Sequence, residues 1–266
     1  MKRILWLTDI HLNFLSKRAV SGFLESVSLH KPDVILLGGD TAEAPTLTSY
    51  LKRMGQQIQR PIYLVLGNHD FYKGSIDATR AMVEVACGAN SFLFWLPITG
   101  LVELTPQVGL IGHDGYADGR LGNYEQSDVL MNDYFLIEDF MGWNAEARLK
   151  VMQRYADQAA KYIRELLPLA LAKYGDVLLL THVPPFRESC WHQGRISNDN
   201  YLPHFSCKAV GDVIMQTMEE RPQSRLTVLC GHTHGGGEAQ ILPNVKVITG
   251  DAAYGKPKVN GVFDLD

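Results

Sequence analysis

The chain has 266 residues, 46 % hydrophobic, 20 % charged and 9 % aromatic, an ordinary globular composition that excludes disordered, collagen-like and coiled-coil chains. Its 25 Lys and Arg against 29 Asp and Glu leave a net charge of −4 without a long basic run, so non-specific nucleic-acid binding and binding to acidic membranes lack their electrostatic driving force. No stretch approaches the roughly 20 apolar residues of a membrane span.

The opening MKRILWLTDIHLNF passes from a short apolar strand, residues 3–8, straight into polar residues, and reads as no signal peptide. Ala19, Phe23 and Val27 at helical spacing predict a helix over 15–29. After the Lys31-Pro32 break comes a second apolar run, 33–37 (DVILL), then a helix over 47–58, then a third run, 62–66 (IYLVL), after Pro61. Continuous Leu-rich and β-branched runs joined by helices predict parallel strands buried on both faces, with right-handed crossovers. Residues 101–104 and 108–112 read as two more strands, and 113–144, rich in Gly, Asp and aromatics without a sustained period, as an excursion over the site. From Ala145 the spacing of Met152, Tyr155, Ala159, Ile163 and Leu166 restores an amphipathic helix, whose regularity Pro168 is expected to interrupt. Residues 177–180 (VLLL) are another buried strand, and a second excursion, 184–204, precedes a helix over 209–219 and a strand over 226–230. The tail reads as a hairpin, 239–242 and 245–249, around Pro243-Asn244. With no long repeat and no linker, residues 1–266 read as one domain. Cys87, Cys190, Cys207 and Cys230 have no CxxC spacing and are too sparse for a disulfide framework, which points to a reducing, cytoplasmic setting. Cys87 and Cys230 lie in or beside apolar runs and are expected as small buried hydrophobes.

The first three strands end in TDIH, GGD and GNHD, and two later ones in TH and GHTH. In open α/β sheets ligands bind beyond the carboxyl ends of the strands, where loops and helix N-termini converge. Five segments therefore aim Asp9, His11, Asp40, Asn68, His69, Asp70, His182, His232 and His234 at one place. Aspartates, an asparagine and histidines, with no thiolate, are the oxygen and nitrogen ligands of a hard-to-borderline divalent ion. The set is too large for one ion. It suits two ions roughly 3.5–4 Å apart, the separation that clamps both oxygens of a phosphoryl displacement. Taken singly, each residue has a plainer role: a strand-end histidine is usually a hydrogen-bonded surface residue, and Asp40 or Asp70 can cap a helix or turn.

The blocks DIH at 9–11, GD at 39–40, GNHD at 67–70, TH at 181–182 and GHTH at 231–234 resemble, in order and spacing, the signature of the calcineurin-like metallophosphoesterases. The likeness spans most of the chain and leaves the excursions uncovered. It implies an α/β fold of two β-sheets packed face to face and flanked by helices, with a βαβαβ start. It implies two divalent metal ions, manganese, iron or zinc: one held by Asp9, His11 and His234, the other by Asn68, His182 and His232, with Asp40 bridging. On that reading a water activated by the two ions would attack phosphorus in line with the leaving group, with no covalent phospho-enzyme needed. His69 is implied beside the leaving oxygen as a catalytic residue, and Asp70 either holds its tautomer or caps a turn.

For a small phosphoester substrate the excursions offer Tyr116, Arg120, Tyr124, Phe186 and Arg195, with Asp114, Asp118, Arg187, His192 and Asn198 as further polar candidates. His113 and His192 fall outside the blocks and are expected at the surface or beside the ligands. A phosphomonoester dianion calls for Arg or Lys near the metals, and no block contains one, so the reading leans to small phosphodiesters. Phosphomonoesters and phosphoproteins are the alternatives. A Ser/Thr phosphoprotein phosphatase is disfavoured because its GDxxDRG block reads GDTAEAP and its GNHE reads GNHD. A DNA exonuclease of this family is disfavoured by the net charge and the lack of a basic stripe, and an inactive protein-binding scaffold would be expected to lose ligands, whereas all seven are present.

Overall fold

The computed structural model describes residues 1–266. β1 (Lys2–Leu7), α1 (Lys17–Leu29), β2 (Val34–Gly38), α2 (Ala44–Ile58) and β3 (Ile62–Val65) make the βαβαβ start. α1 begins where Ser16 accepts the N–H of Ala19, and α2 carries Pro45 in its first turn, where no intrahelical donor is needed. α3 (Ile76–Gly88) and β4 (Leu93–Trp95) add one more βα unit, which the hydrophobic pattern leaves unassigned. α4 (Leu96–Thr99), β5 (Val102–Glu103) and β6 (Val108–His113) lead to the first excursion, which holds α5 (Asp133–Leu136).

α6 (Ala145–Lys173) then runs unbroken through Pro168, contrary to the expected interruption. A proline forgoes only the one backbone bond back to Arg164, and Ile163, Leu167, Ala170 and Leu171 are buried on both sides of it, so packing holds the turn. β7 (Asp176–Thr181) precedes the second excursion, with its small hairpin β8 (Trp191–His192) and β9 (Arg195–Ile196) and the turn α7 (Leu202–Phe205). α8 (Lys208–Glu219), β10 (Arg225–Cys230), the hairpin β11 (Gly237–Leu242) and β12 (Val245–Thr249), and β13 (Gly261–Leu265) complete the chain.

One sheet has the order β13-β1-β2-β3-β4, parallel except for β13; the other has β11-β12-β10-β7-β6-β5, parallel except at its edges β11 and β5. Strand alternation splits the apolar residues into two cores. Ile4, Trp6, Val34, Leu36 and Val65 of the first sheet meet Val108, Leu110, Leu178, Leu180 and Leu229 of the second, so the sheets pack face to face. Their neighbours Leu5, Leu7, Ile35, Leu37, Val177, Leu179 and Val228 point outward to the helices. Each such buried side chain contributes roughly 1.5–3 kcal/mol, and together they fix where the strands stop. Register aligns those ends: Leu7 pairs with Leu37, Gly38 with Val65, Leu180 with Leu229 and His113 with Thr181. The five motif blocks follow at one edge of the sandwich. All four cysteines are unpaired and buried, and no helix is long and apolar enough to cross a membrane.

Candidate metal centre

Backbone bonds lace the strand-end loops together. The N–H groups of Asp9, His11 and Leu12 donate to the carbonyls of Gly39, Asp40 and Thr41 at 3.0, 3.0 and 2.8 Å, and Gly231 N–H donates to His182 O at 2.9 Å. The laced loops are strained. Of nine non-glycine residues with positive φ, five are Asp9 (52°), His11 (41°), Asp40 (52°), His232 (70°) and His234 (57°). Such left-handed conformations cost up to roughly 1–3 kcal/mol each and persist where the surroundings enforce them, which marks a functional site. Two glycines let the carboxylates in: a Cβ on Gly67 would collide with Asp40 and the His182 ring, and one on Gly231 with Asp9 and Thr8.

Asp9, His11, Asp40 and His234 each present a ligand atom, all within 4.8 Å of one another. His11 Nε2 lies 3.1 Å from His234 Nε2 and 3.8 Å from Asp40 Oδ2, and His234 Nε2 lies 3.4 Å from Asp9 Oδ1. A second group surrounds the Asn68 carbonyl oxygen, with His232 Nδ1 at 2.9 Å and His182 Nε2 at 3.2 Å; the latter is 3.4 Å from Asp40 Oδ1. The other ring nitrogens are committed. His182 Nδ1–H donates to Gly38 O and His232 Nε2–H to His204 O, both at 2.9 Å, so a lone pair of each ring faces the Asn68 oxygen. Acceptors that face acceptors repel unless a cation lies among them, so the second set fits a divalent ion, and the first offers the carboxylate and imidazole donors that such an ion takes. Asp40 turns Oδ2 to the first set and Oδ1 to the second.

Burial pushes His11 down to about 2 and His232 to about 4, which keeps both imidazoles neutral at neutral pH, the state that ligation requires. The two aspartates diverge. Burial opposes ionisation of Asp9, but its bond with His234 and the nearby histidine charges hold it below the usual carboxylate range. Asp40 is pushed well above that range by burial and by the charges of Asp9 and Asp70.

His69 Nε2 lies 4.0 Å from Asp40 Oδ2, while its backbone N–H donates to Asp40 Oδ1 at 2.8 Å. Burial pushes its imidazole down to about 3. Of the two roles open to Asp70, its hydrogen bonds are those of a cap: its oxygens accept backbone N–H groups and not the His69 ring. Its Oδ1 accepts the N–H groups of Thr41 (2.8 Å) and Ala42 (3.0 Å), and its Oδ2 that of Gly67 (2.9 Å). Asp70 is thus a staple between the second and third loops and caps the short turn Asn68–Phe71, the plainer of its two readings.

Two residues escaped the sequence reading. Asp133, in the first excursion, accepts from Asn68 Nδ2 and the Tyr72 hydroxyl at 2.8 Å each and from the Tyr116 hydroxyl at 2.6 Å. It fixes which way the Asn68 amide points. Tyr254, in the tail, sets its hydroxyl 3.3 Å from His69 Nε2. An aspartate in an aperiodic segment and a tyrosine near a chain end carry no local signal of either role.

The five substrate candidates are not brought together. Tyr116 is buried, stacked on Phe140 at 5.5 Å, and reaches the centre only through Asp133. Arg120 is paired with Asp157 (2.7 Å) and Asp118 (3.3 Å). Tyr124 donates to Ala145 O at 2.9 Å and, with Tyr134, Arg148 and His204, lines a cavity of about 340 Å³ that includes none of the candidate ligands. Phe186 packs against the helix-side core. Arg195 lines a polar cavity of about 120 Å³ with His192, Asn198 and Tyr201; His192 Nδ1–H donates to Thr233 O at 2.9 Å, so this cavity adjoins the His232 loop. Asp114 is a buried clamp for Leu66 N–H, Trp95 Nε1 and Arg80 Nε, and His113 is buried, not at the surface, accepting Gly115 N–H.

Residues 2–236 match the family of calcineurin-like phosphoesterases. Among curated proteins, none is similar enough in sequence to count as a relative. Solved structures are similar in fold: a dimetal phosphatase from Danio rerio (14 % identity, TM-score 0.58, covering 96 % of this chain and 89 % of that one) and a phosphopantetheinyl hydrolase from Mycobacterium tuberculosis (12 %, 0.67, 95 % and 90 %). A Thermus thermophilus protein is similar at 16 % identity and a TM-score of 0.55, with 94 % and 89 % covered.

Proposed function

The chain belongs to the calcineurin-like phosphoesterases, a family of phosphoric ester hydrolases, and from that premise we propose that it hydrolyses small phosphodiesters at a centre of two divalent ions. Asp9, His11 and His234 would hold one ion and Asn68, His182 and His232 the other, with Asp40 shared; manganese, iron and zinc suit this oxygen and nitrogen set. When bound, such ions supply a nucleophilic hydroxide at neutral pH and neutralise charge on the phosphoryl oxygens. The observation that carries this reading is the convergence of acceptor atoms on both oxygens of one buried carboxylate, Asp40.

The protein's own residues prepare that chemistry. Asp133 keeps the Asn68 oxygen turned inward, and the carbonyls of Gly38 and His204 hold His182 and His232 in the ligating tautomers. The backbone N–H of His69 steadies Asp40. His69 Nε2, 4.0 Å from Asp40 Oδ2, would stabilise charge on the departing oxygen or pass it a proton.

The preference for diesters rests on charge. Imidazole and aromatic rings, His69, Phe14 and Tyr254, pack beside the first ligand set, Arg120 and Arg187 are paired with aspartates elsewhere, and Arg195 lines the separate cavity beside the His232 loop. A dianionic monoester would find no arginine beside the first ligand set to balance it. The test is kcat/KM for bis-nitrophenyl phosphate, nitrophenyl phosphate, a cyclic nucleotide and a phosphopeptide under one metal condition. A diester is expected to lead. Monoester turnover tenfold above diester turnover, dependent on Arg195, would contradict the preference.

A further inference from the structure

The candidate ligands form a floor that is buried except at His234, whose side chain is 20 % exposed. Next to this opening stand two aromatic residues that no motif block contains. Phe14 is 53 % and Tyr254 50 % exposed, and their ring centroids are 4.9 Å apart. Tyr254 also packs on His11 at 4.6 Å and His234 at 4.9 Å, with its hydroxyl 3.3 Å from His69 Nε2. An aromatic wall therefore rises from the first ligand set on the side where the centre opens.

Tyr254 is held there by its own segment, between β12 and β13. Asn260 accepts the Thr8 N–H at 3.0 Å and donates to Asp251 O at 2.9 Å, and Ala252 N–H donates to His234 O at 3.3 Å. The tail is thus tied to the loops that carry Asp9 and His234. It lies beyond residue 236, where the family match ends.

His234 is the most exposed of the candidate ligands, and Phe14 and Tyr254 are the half-exposed rings beside it and His11, so a group bonded to phosphorus at the first ligand set would meet them. Two half-exposed rings present π-surface and carry no charge of their own, which favours a flat, apolar-faced partner over a peptide or a charged headgroup. Building on the phosphoester reading, we propose that Phe14 and Tyr254 form a specificity subsite for a planar aromatic or heteroaromatic substituent of the substrate. The rings stack the substituent, and the bond to His69 fixes the Tyr254 side chain.

Two ligands that differ only in a ring test this. Protein loaded with Mn²⁺ is titrated calorimetrically with phenylphosphonate and with methylphosphonate, and its metal content is measured alongside. Phenylphosphonate is expected to bind about tenfold tighter, the size of one aromatic stacking contact. That ratio falls towards unity in Tyr254→Ala and in Phe14→Ala with metal content intact, and Tyr254→Phe keeps most of it because the ring remains. Equal binding of the two phosphonates by the wild type, or a ratio that survives both alanine variants, overturns the subsite while leaving the phosphoester reading in place. Metal loss in Tyr254→Ala also overturns it, making the ring a prop for the ligands. If metal-loaded wild type binds neither phosphonate, the subsite is overturned, while the phosphoester reading is decided separately by hydrolysis of the ester panel.

Discussion

Asp133→Ala should weaken one of the two ions and spare the other. In the native protein three donors converge on this buried carboxylate: Asn68 Nδ2 and the Tyr72 hydroxyl on one oxygen, and the Tyr116 hydroxyl on the other. Alanine leaves both hydroxyls without this acceptor and leaves Asn68 Nδ2 only its longer 3.3 Å bond to the Tyr72 hydroxyl. Each stranded buried donor costs about 1–3 kcal/mol, and the hydroxyls can partly recover by turning, so a stability loss of about 3 kcal/mol is expected. The functional loss is more specific. Once Nδ2 is released, the amide can rotate and present a donor where its oxygen faced His182 and His232. Removing such an outer partner typically costs about 10–100-fold in metal affinity. Calorimetric titration of the metal-free protein with Mn²⁺ should show one class of site weakened by that factor. Asp133→Asn, which keeps one acceptor oxygen, should lose less. In an Asn68→Ala background, Asp133→Ala should add little further loss of affinity, because the two act as a unit. Equal weakening of both sites, or full additivity of the two changes, would refute the mechanism.

Asp40→Asn should lower metal occupancy and turnover more than any other single ligand change, since only Asp40 faces both sets; two tightly held ions by elemental analysis with near-native turnover would disprove the sharing. His69→Ala should reduce kcat by roughly 10²–10⁴-fold with metal content intact, and the defect should shrink for nitrophenol leaving groups that need little protonation; metal loss in step with rate would make His69 a ligand instead. Burial pushes His113 down to about 4, whereas an unfolded histidine titrates near 6.5, so below that pH the unfolded chain takes up a proton that the folded one refuses. Stability from this group is therefore complete above pH 6.5 and lost as pH falls towards 4. Between pH 7.5 and 4.5 the metal-free wild type should lose about 2–3 kcal/mol more than His113→Gln in denaturant unfolding; equal losses would contradict the buried neutral state.

What the sequence makes legible follows from what is local. Apolar runs such as VILLG and RLTVLC announce buried strands, and the polar residues that follow them announce a shared edge, so Asp9, His11, Asp40, Asn68, His182, His232 and His234 could be placed together from the chain alone. The positive φ angles that aim Asp9, His11 and His234 leave no mark in composition. Pro168 misleads because a proline's intrinsic cost is local while the packing of α6 that overrides it is not. The excursions lack periodicity, yet Asp133 there orients a ligand some sixty residues earlier in the chain, at a separation of 65. Tyr116 reads as a substrate contact because an aromatic in an aperiodic loop gives no sign that it will be drawn under that loop by a buried acid. Tyr254 depends on Asn260 reaching back to Thr8 across 252 positions, a contact with no neighbour to signal it.

The central claim is most directly tested by titrating metal-free protein with Mn²⁺ while following both bound metal and hydrolysis of bis-nitrophenyl phosphate. Two ions per chain are expected, with turnover rising as the second binds. Saturation at a single ion with full turnover, or two bound ions without hydrolysis of any phosphoester, would contradict it.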